Sequence, residues 1–199
     1  MLPIEKIRRI FDKNGGIMRT AEINACKIYY TDIQKLIKEG YVEKIRYGYY
    51  QWIWKRDVSE ANIITSLFPD GVMCMNTALF YYRYSDRTPL EWHIAVSKDS
   101  SKSRFNIDYP FVKPYYVEPK FLQLGLTEGE IDGHKVRIYD KERVICDCMR
   151  YSGKMDKEVF NKAIQGYVKD VKKNVPMLMQ YARKLRIEKK VKDLIGVWL

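Results

Sequence analysis

The chain has 199 residues, of which 31% are charged, and a formal net charge of +11. This length allows two small domains or one large domain, and the basic balance points to an acidic partner such as a nucleic acid. The sequence has no run of 18 apolar residues and no amphipathic lipid-binding stretch, which argues against a membrane protein. Because the charged N-terminus has no secretory pattern either, we expect a cytoplasmic location.

Positive charge is concentrated at the two ends of the chain. Residues 1–57 carry 12 Lys and Arg against 7 Asp and Glu, and residues 141–199 carry 15 against 7. Residues 58–140 carry 9 against 11. Cations that neutralise phosphates release counterions and so favour binding to nucleic acids. We therefore expect both ends of the chain to contribute phosphate contacts.

Residues 1–56 begin with the pattern of three short helices. Apolar residues at helical spacing predict the first helix over 3–13. The second is predicted over 21–25, with Thr20 as its cap. The third is predicted over 31–39.

The third helix has signals at both ends, and a hairpin pattern follows it. Thr31 and Gln34 match a capping box at the start, and Gly40 is suited to end the helix. Alternating residues around Tyr47-Gly48 predict two strands joined by a tight turn. These strands are predicted over 41–46 and 49–54. The order of three helices and a hairpin predicts a winged helix-turn-helix DNA-binding domain over residues 1–56.

The third helix is the predicted reading element. A helix in the major groove presents its N-terminal residues to base edges, while flanking cations contact phosphates. Thr31, Gln34 and Lys35 are suited to bases, and Gln34 is suited to adenine in particular. Backbone contacts are expected from Lys27, Tyr30 and Lys38, and phosphate or minor-groove contacts from Arg46 and Tyr47 at the wing. The predicted DNA-binding residues of this domain are Arg19, Lys27, Tyr30, Thr31, Gln34, Lys35, Lys38, Arg46 and Tyr47.

Two alternatives stay open for this segment. The lysines of the third helix are also what an ordinary solvated helix face carries. Winged helices also serve as protein-interaction modules, so the pattern favours DNA binding without requiring it.

Residues 57–199 have the pattern of an α+β domain. Helices are predicted over 60–67, capped by Ser59 or Asp57, and over 77–84, capped by Asn76. Strands follow at 91–97 and 108–118, the second expected at a sheet edge because Pro110 and Pro114 interrupt it. A hairpin is predicted around Asp132-Gly133, with strands over 127–131 and 135–139. Further helices are predicted over 141–150, 157–169, 176–185 and 188–198.

The C-terminal helices carry two further predictions. Arg143 and Asp147 lie one helical turn apart and are able to pair. The exposed cations of these helices are predicted to form a second positive surface, although solubilising lysines would have the same pattern. The surface would comprise Lys162, Lys169, Lys172, Lys173, Arg183 and Arg186, of which Lys169, Lys172 and Lys173 are predicted DNA contacts.

Cysteine and histidine placement does not indicate a metal or catalytic site. Cys146 and Cys148 have one intervening residue, not the spacing of a zinc knuckle, and no second pair exists. His93 and His134 lie 41 residues apart, without carboxylate clusters around them. We therefore expect buried free thiols, no metal or cofactor, and no enzymatic activity.

The order of these motifs resembles the AbiEi family of antitoxins, which belong to type IV toxin–antitoxin systems of abortive phage infection. The resemblance covers nearly the whole chain. It lies in residues 36–52 (LIKEGYVEKIRYGYYQW), 75–96 (MNTALFYYRYSDRTPLEWHIAV), 136–151 (VRIYDKERVICDCMRY) and 178–187 (LMQYARKLRI). One departure is Tyr82-Arg83-Tyr84, where the family commonly carries a histidine.

The resemblance implies a protein with two functions. Members look like winged-helix repressors that bind inverted repeats in duplex DNA upstream of their own operon. Their second domain assists DNA binding and opposes a nucleotidyltransferase-like toxin, without needing a stable complex with it. Because of the departure at residues 82–84, the antitoxic residues of this chain stay unassigned.

Two other functions remain as alternatives. A restriction-endonuclease-like domain would need clustered carboxylates and a lysine, for which the nearest candidates are Glu91, Asp99 with Lys98, and Asp132 with Lys135. A regulator that senses a small ligand would need a pocket in the second domain. That pocket would be lined by Tyr81, Tyr82, Tyr84, Tyr109, Tyr115 and Tyr116, residues that are also typical of a half-buried core.

Overall fold

The computed structural model describes residues 3–53 and 59–196 and shows an α+β protein with two separate sheets. The chain divides into two compact units. Of the described residues, the first unit contains 3–53, 59–69 and 106–110, and the second contains 70–105 and 111–196. The predicted α+β class, with a small sheet and C-terminal helices, is confirmed.

The first unit contains four helices and three strands among its described residues. They are α1 (Ile4–Lys13), β1 (Ile17–Arg19), α2 (Thr20–Ala25), α3 (Tyr30–Lys38), β2 (Val42–Arg46), β3 (Tyr49–Trp52) and α4 (Glu60–Leu67). The strands form an antiparallel sheet in the order β1-β3-β2. Strand β1 was not predicted, because three residues are too few to show an alternating pattern.

One apolar core holds this unit together. Ile7 and Phe11 lie one turn apart on α1, and both are fully buried. Ile33 and Leu36 of α3 enter the same core, and the ring of Phe11 lies 5.6 Å from that of Trp52 on β3. Burial of these side chains supplies most of the stabilisation, at about 1.5–3 kcal/mol for each large apolar residue.

The first unit extends further along the chain than the predicted boundary at residues 56 and 57, which lies outside the described residues. Helix α4 belongs to this unit. The Asn62 side-chain amide donates to the Gly15 carbonyl at 2.6 Å, and Arg46 Nη2 donates to the Leu67 carbonyl at 3.1 Å. Ser59 caps α4 by accepting from Asn62 N at 3.2 Å, as predicted; the alternative cap, Asp57, lies outside the described residues.

The second unit is built on a five-stranded sheet in the order β6-β5-β4-β8-β7. Its strands are β4 (Val72–Met73), β5 (Trp92–Ser97), β6 (Val112–Val117), β7 (Leu126–Ile131) and β8 (His134–Tyr139). Its helices are α5 (Met75–Tyr81), α6 (Pro119–Leu122), α7 (Lys141–Tyr151), α8 (Lys157–Lys169), α9 (Val175–Lys184) and α10 (Glu188–Ile195). The strand with the prolines lies at an edge, and the β7–β8 hairpin turns at Asp132-Gly133, both as predicted.

Several predicted helix ends differ from the structure. Helix α5 starts at Met75, so Asn76 lies inside it and is not its cap. Thr20 is the first residue of α2, and its hydroxyl donates to the Gly48 carbonyl at 3.3 Å instead of capping the helix. For Thr20, a partner distant in sequence competes with the local hydrogen bond, which the sequence pattern cannot show.

Helix α7 is unusual because it buries charged side chains. The predicted pair is confirmed: Arg143 Nε donates to Asp147 Oδ2 at 2.9 Å, and Arg143 is fully buried. Arg143 Nη1 also donates to the carbonyls of Phe121 and Leu124, both at 2.7 Å. Gly125 has a φ of +74°, and a Cβ on it would lie 2.5 Å from Arg143 Cβ. The arginine thus fixes the segment that joins α6 to β7.

Candidate nucleic-acid interface

Helix α3 presents a continuous polar face to solvent. Thr31, Gln34, Lys35 and Lys38 are exposed, at the spacing that places residues on one side of a helix. Tyr30, at the start of the helix, is 69% exposed. The predicted division of α3 is therefore confirmed for Ile33 and Leu36, which are buried, and for these exposed residues.

The start of α3 differs from the predicted capping box. The helix begins at Tyr30, and the Asp32 carboxylate accepts the backbone N–H of Tyr29 at 3.2 Å. The prediction placed this bond on Thr31 and Gln34 and was wrong in register. As a result, within the part of the chain that the structure describes, the side chains of Thr31 and Gln34 make no hydrogen bond. Both side chains can therefore form hydrogen bonds with a binding partner without breaking one to the described residues.

The cations of α3 are only weakly engaged. Lys35 Nζ lies 3.8 Å from a Glu39 carboxylate oxygen, and both side chains are well exposed. An exposed pair of this kind contributes about 0–1 kcal/mol and is screened by salt. Lys35 and Lys38 are therefore available to an anionic partner.

The turn between α2 and α3 positions Lys27. Lys27 adopts a φ of +59°, a conformation that favours glycine, while its neighbour Ile28 is fully buried. The buried isoleucine holds the tight turn, and the Lys27 side chain is exposed beside the start of α3.

The β2–β3 hairpin places a second group of exposed residues in this unit. Tyr47 is 91% exposed at the tip, and Lys44 Nζ lies 5.4 Å from the centre of its ring. Gly48 follows with a φ of +78°, and its carbonyl accepts the backbone N–H of Thr20 at 2.9 Å. Sequence reasoning named Tyr47 but missed Lys44, whose position close to the turn was the available signal.

Arg46 ends β2 directly before the Tyr47-Gly48 turn, but its side chain is half-buried. It was expected at the hairpin tip as a phosphate or minor-groove contact. The structure places its guanidinium 4.2 Å from the ring centre of Tyr49 and 5.4 Å from that of Phe68, with the bond to the Leu67 carbonyl. A bulge between Lys44 and Arg46 changes the register of β2, which explains why the two cations have different neighbours.

Arg19 is the last residue of β1 in the first unit. Its side chain is exposed, and its guanidinium lies 5.5 Å from the centre of the Tyr49 ring. It borders a cleft of about 180 Å³ whose other lining residues include Glu22, Thr65 and Ser66. The tyrosines proposed to line a ligand pocket in the second domain do not line this cleft.

The predicted second positive surface is partly engaged within the second unit. Lys169 and Lys172 are exposed, whereas Lys173 Nζ donates to the Val168 carbonyl at 3.0 Å. Lys162 pairs with Asp86 and Glu158, at 2.8 and 2.9 Å. Arg183 Nε lies 3.3 Å from Glu188. Asp86 is distant from Lys162 in sequence, so its pairing was not visible in the helical pattern.

The tyrosines of the second unit have internal partners. Tyr82 OH donates to the Tyr139 carbonyl at 2.9 Å, and Tyr84 OH donates to Asp170 at 2.5 Å. Burial raises the pKa of both phenols above its usual range. These contacts of Tyr82 and Tyr84 are those of a packed core, the second of the two roles considered, whereas Tyr109 is 56% exposed.

His93 is the more buried of the two histidines, and its two ring nitrogens have different neighbours. Its Nδ1 accepts from Asn76 N at 3.4 Å and lies 3.2 Å from Tyr115 OH, while Nε2 lies 3.5 Å from Glu91. Burial, reinforced by the charge of Lys113 and opposed by Glu91, lowers the pKa of His93 to about 4. Burial also raises the pKa of Tyr115. Transfer of the tyrosine proton to the imidazole is therefore unfavourable, and the arrangement does not activate a nucleophile.

The carboxylates proposed for a nuclease each have a separate setting. Glu91 pairs with Lys113 at 3.1 Å, Asp99 is bonded to Ser97, and Asp132 occupies the hairpin turn with a φ of +52°. Within residues 3–53 and 59–196, no three His, Cys, Asp or Glu side chains are grouped so that they could hold a metal ion.

The four cysteines are free thiols. Cys74, Cys146 and Cys148 are buried, and burial raises the pKa of Cys146 to about 12. Thiolate chemistry is therefore disfavoured at Cys146.

None of the described helices is long and apolar enough to cross a membrane.

Comparison with models of protein families gives no match for this chain, and comparison with curated protein sequences gives none either. The resemblance to the AbiEi family therefore stays a prediction.

Proposed function

We propose that the first unit is a winged helix-turn-helix domain that binds duplex DNA. Its order of elements, α1-β1-α2-α3-β2-β3, supplies a helix next to a short turn and a protruding hairpin. In such a domain the second helix of the motif lies in the major groove, and flanking elements contact the backbone. Helix α3 is the reading helix in this proposal, and the β2–β3 hairpin is the wing.

The observation that carries the proposal is the exposed polar face of α3. Thr31 and Gln34 make no internal hydrogen bond among the described residues, and both lie within the first five residues of the helix. A glutamine amide can donate and accept at once, which matches the N6 and N7 edge of adenine. We assign Thr31, Gln34 and Lys35 to base edges, and Lys27, Tyr30 and Lys38 to the DNA backbone.

The wing and the second unit would add contacts without sequence information. We assign Lys44 and Tyr47 to the backbone or the minor groove, in place of Arg46. Arg19 is a backbone candidate at the side of the first unit. In the second unit, Lys169 and Lys172 are exposed and retain the role predicted for them, whereas Lys173 is already bonded to Val168.

We further propose that the protein represses its own operon and acts as the antitoxin of a type IV system. This part is supported by the resemblance to the AbiEi family and by the basic ends of the chain. The operator would contain inverted repeats, and the toxin would be a nucleotidyltransferase-like protein. Co-expression with the product of the neighbouring gene tests it, and continued growth arrest would contradict the antitoxin role.

The DNA-binding proposal is tested by a salt series on the duplex upstream of the gene and on a scrambled duplex. We expect selective binding and a steep loss of affinity with salt. Gln34→Ala should lose about 1–3 kcal/mol of discrimination against the wrong base. Lys35→Ala with Lys38→Ala should weaken both duplexes and reduce the salt slope by about 2.

Matched controls separate these effects from general ones. Gln180→Ala removes an exposed helical glutamine of the second unit, and Lys6→Ala removes an exposed lysine of α1. Gln180→Ala should leave discrimination between the two duplexes unchanged, and Lys6→Ala should leave the affinity and the salt slope unchanged. Equal, weak binding of the wild-type protein to both duplexes would contradict the proposal and would favour a protein-interaction role for the first unit.

A further inference from the structure

The β2–β3 hairpin is attached to the rest of the first unit by Arg46. We propose that Arg46 is a positioning residue, which holds the hairpin tip in place for binding and acts through Lys44 and Tyr47 without touching DNA itself. This inference rests on the proposed function of the first unit. It assigns Arg46 a role different from the phosphate contact that its place in the sequence suggests.

The contacts of Arg46 connect the hairpin to the end of α4. Its Nη2 donates to the Leu67 carbonyl at 3.1 Å, and its guanidinium lies 4.2 Å and 5.4 Å from the ring centres of Tyr49 and Phe68. A planar guanidinium can stack on aromatic rings while its N–H groups donate in the same plane. A lysine ammonium keeps the charge but cannot reproduce this geometry.

The bulge in β2 explains why Arg46 and Lys44 do different tasks. In a regular strand, residues two apart lie on the same face of the sheet. Here Lys44 pairs with Tyr50 and Arg46 pairs with Tyr49, so Ile45 is an additional residue between them. The bulge redirects the strand. Lys44 therefore lies over the exposed Tyr47 ring, and Arg46 lies against Tyr49 and Phe68.

A second attachment lies on the other side of the turn. The Gly48 carbonyl accepts both the backbone N–H and the hydroxyl of Thr20, at 2.9 and 3.3 Å. Arg46 precedes Tyr47 in the chain, and Gly48 follows it. The tip is thus held on both sides, to α4 and to α2. A tip that is ordered before binding loses less conformational entropy when it binds, which favours affinity.

The test is a double-mutant cycle on the upstream duplex. Arg46→Lys is made in the wild-type protein and in a variant that carries Lys44→Ala and Tyr47→Ala. We expect Arg46→Lys to weaken binding about tenfold in the wild-type protein and less than about twofold in the tip variant. Arg9→Lys, at an exposed position of α1, is the matched control and should leave affinity unchanged.

Three outcomes separate this inference from its alternatives. Wild-type affinity in Arg46→Lys would mean that charge alone suffices, and an equal loss in both backgrounds would mean that Arg46 does not act through the tip. Either result overturns the inference while the DNA-binding proposal stands. If the wild-type protein shows no preference for the upstream duplex, the proposed function fails and this inference fails with it.

Hydrogen exchange of the free protein distinguishes positioning from a general effect on folding. Arg46→Lys should accelerate amide exchange in β2 and β3 near Tyr47 and leave α1 and α3 protected. Loss of protection across the whole first unit would show a merely structural role and would also overturn the inference.

Discussion

Helices α3 and α7 place polar side chains in opposite environments. On α3, Thr31 and Gln34 are exposed and make no internal hydrogen bond among the described residues. On α7, Arg143 and Asp147 are buried and bonded to each other and to neighbouring segments. Polar groups that are hydrogen-bonded within the protein stabilise its fold, whereas exposed polar groups without an internal hydrogen bond are available to a binding partner. The two helices should therefore respond differently to substitution.

The largest effect is expected at Arg143. Arg143→Ala leaves the Asp147 carboxylate buried without its main partner and should lower the free energy of unfolding by about 3–5 kcal/mol. Urea denaturation of the purified protein measures this loss. Arg150→Ala is the control, because Arg150 is exposed and contacts the same carboxylate at 3.3 Å. If Arg143→Ala cannot be purified folded, Arg143→Lys provides a milder test. Equal stability of the arginine variants would contradict the assigned role of α7.

The next effect is a pH dependence that arises from His93. Its folded pKa is about 4, below its usual value of 6.5. As the pH falls below 6.5, the unfolded chain takes up a proton that the folded imidazole does not accept. The free energy of unfolding should therefore fall by roughly 3 kcal/mol between pH 6.5 and pH 4 on account of this residue.

Comparison with His93→Gln measures that contribution. Subtracting the pH profile of the variant removes the contributions that the two proteins have in common. We expect the difference between the two proteins to grow as the pH falls and to be constant above about pH 7. A difference that does not change between pH 7 and pH 4 would show that His93 is not held neutral.

The smallest effect on stability is expected on α3. Gln34→Ala and Thr31→Ala remove no hydrogen bond to the residues that the structure describes, and exposed substitutions of this kind change stability by less than about 0.5 kcal/mol. Thermal denaturation checks this at pH 7. The same variants should change binding to the upstream duplex. A large loss of stability with no change in binding would reverse the comparison between α3 and α7.

Much of the second unit was predictable from local patterns. Asp132-Gly133 predicted a hairpin, and Pro110 and Pro114 predicted an edge strand, because turns and strand breaks depend on the conformations of a few adjacent residues. The Arg143–Asp147 pair followed from helical spacing. Its complete burial did not, since that depends on the carbonyls of Phe121 and Leu124, which lie about twenty residues away in sequence.

The candidate site was predictable to a similar depth. The exposed face of α3 followed from the positions of Ile33 and Leu36. The contacts of the Arg46 side chain were not predicted, because a single additional residue in β2 alters which side chains share a face. The capping bond at the start of α3 was placed two residues too late, because both Asp32 and Gln34 can accept the reach-back bond of a capping box and the sequence does not show which one does.

By itself, the sequence determined the α+β class, the order of the longer elements and which residues of α3 lie in the core, because hydrophobic periodicity and turn chemistry act over a few residues. Tertiary structure alone decided which partners the cationic side chains contact. Arg46 contacts α4, Lys162 pairs with Asp86, and Arg143 is buried among loop carbonyls. Each of these depends on groups brought together by folding. The physical reason is that Lys and Arg side chains are long and can form hydrogen bonds or ion pairs in several directions. Only the folded chain shows which partner is within reach.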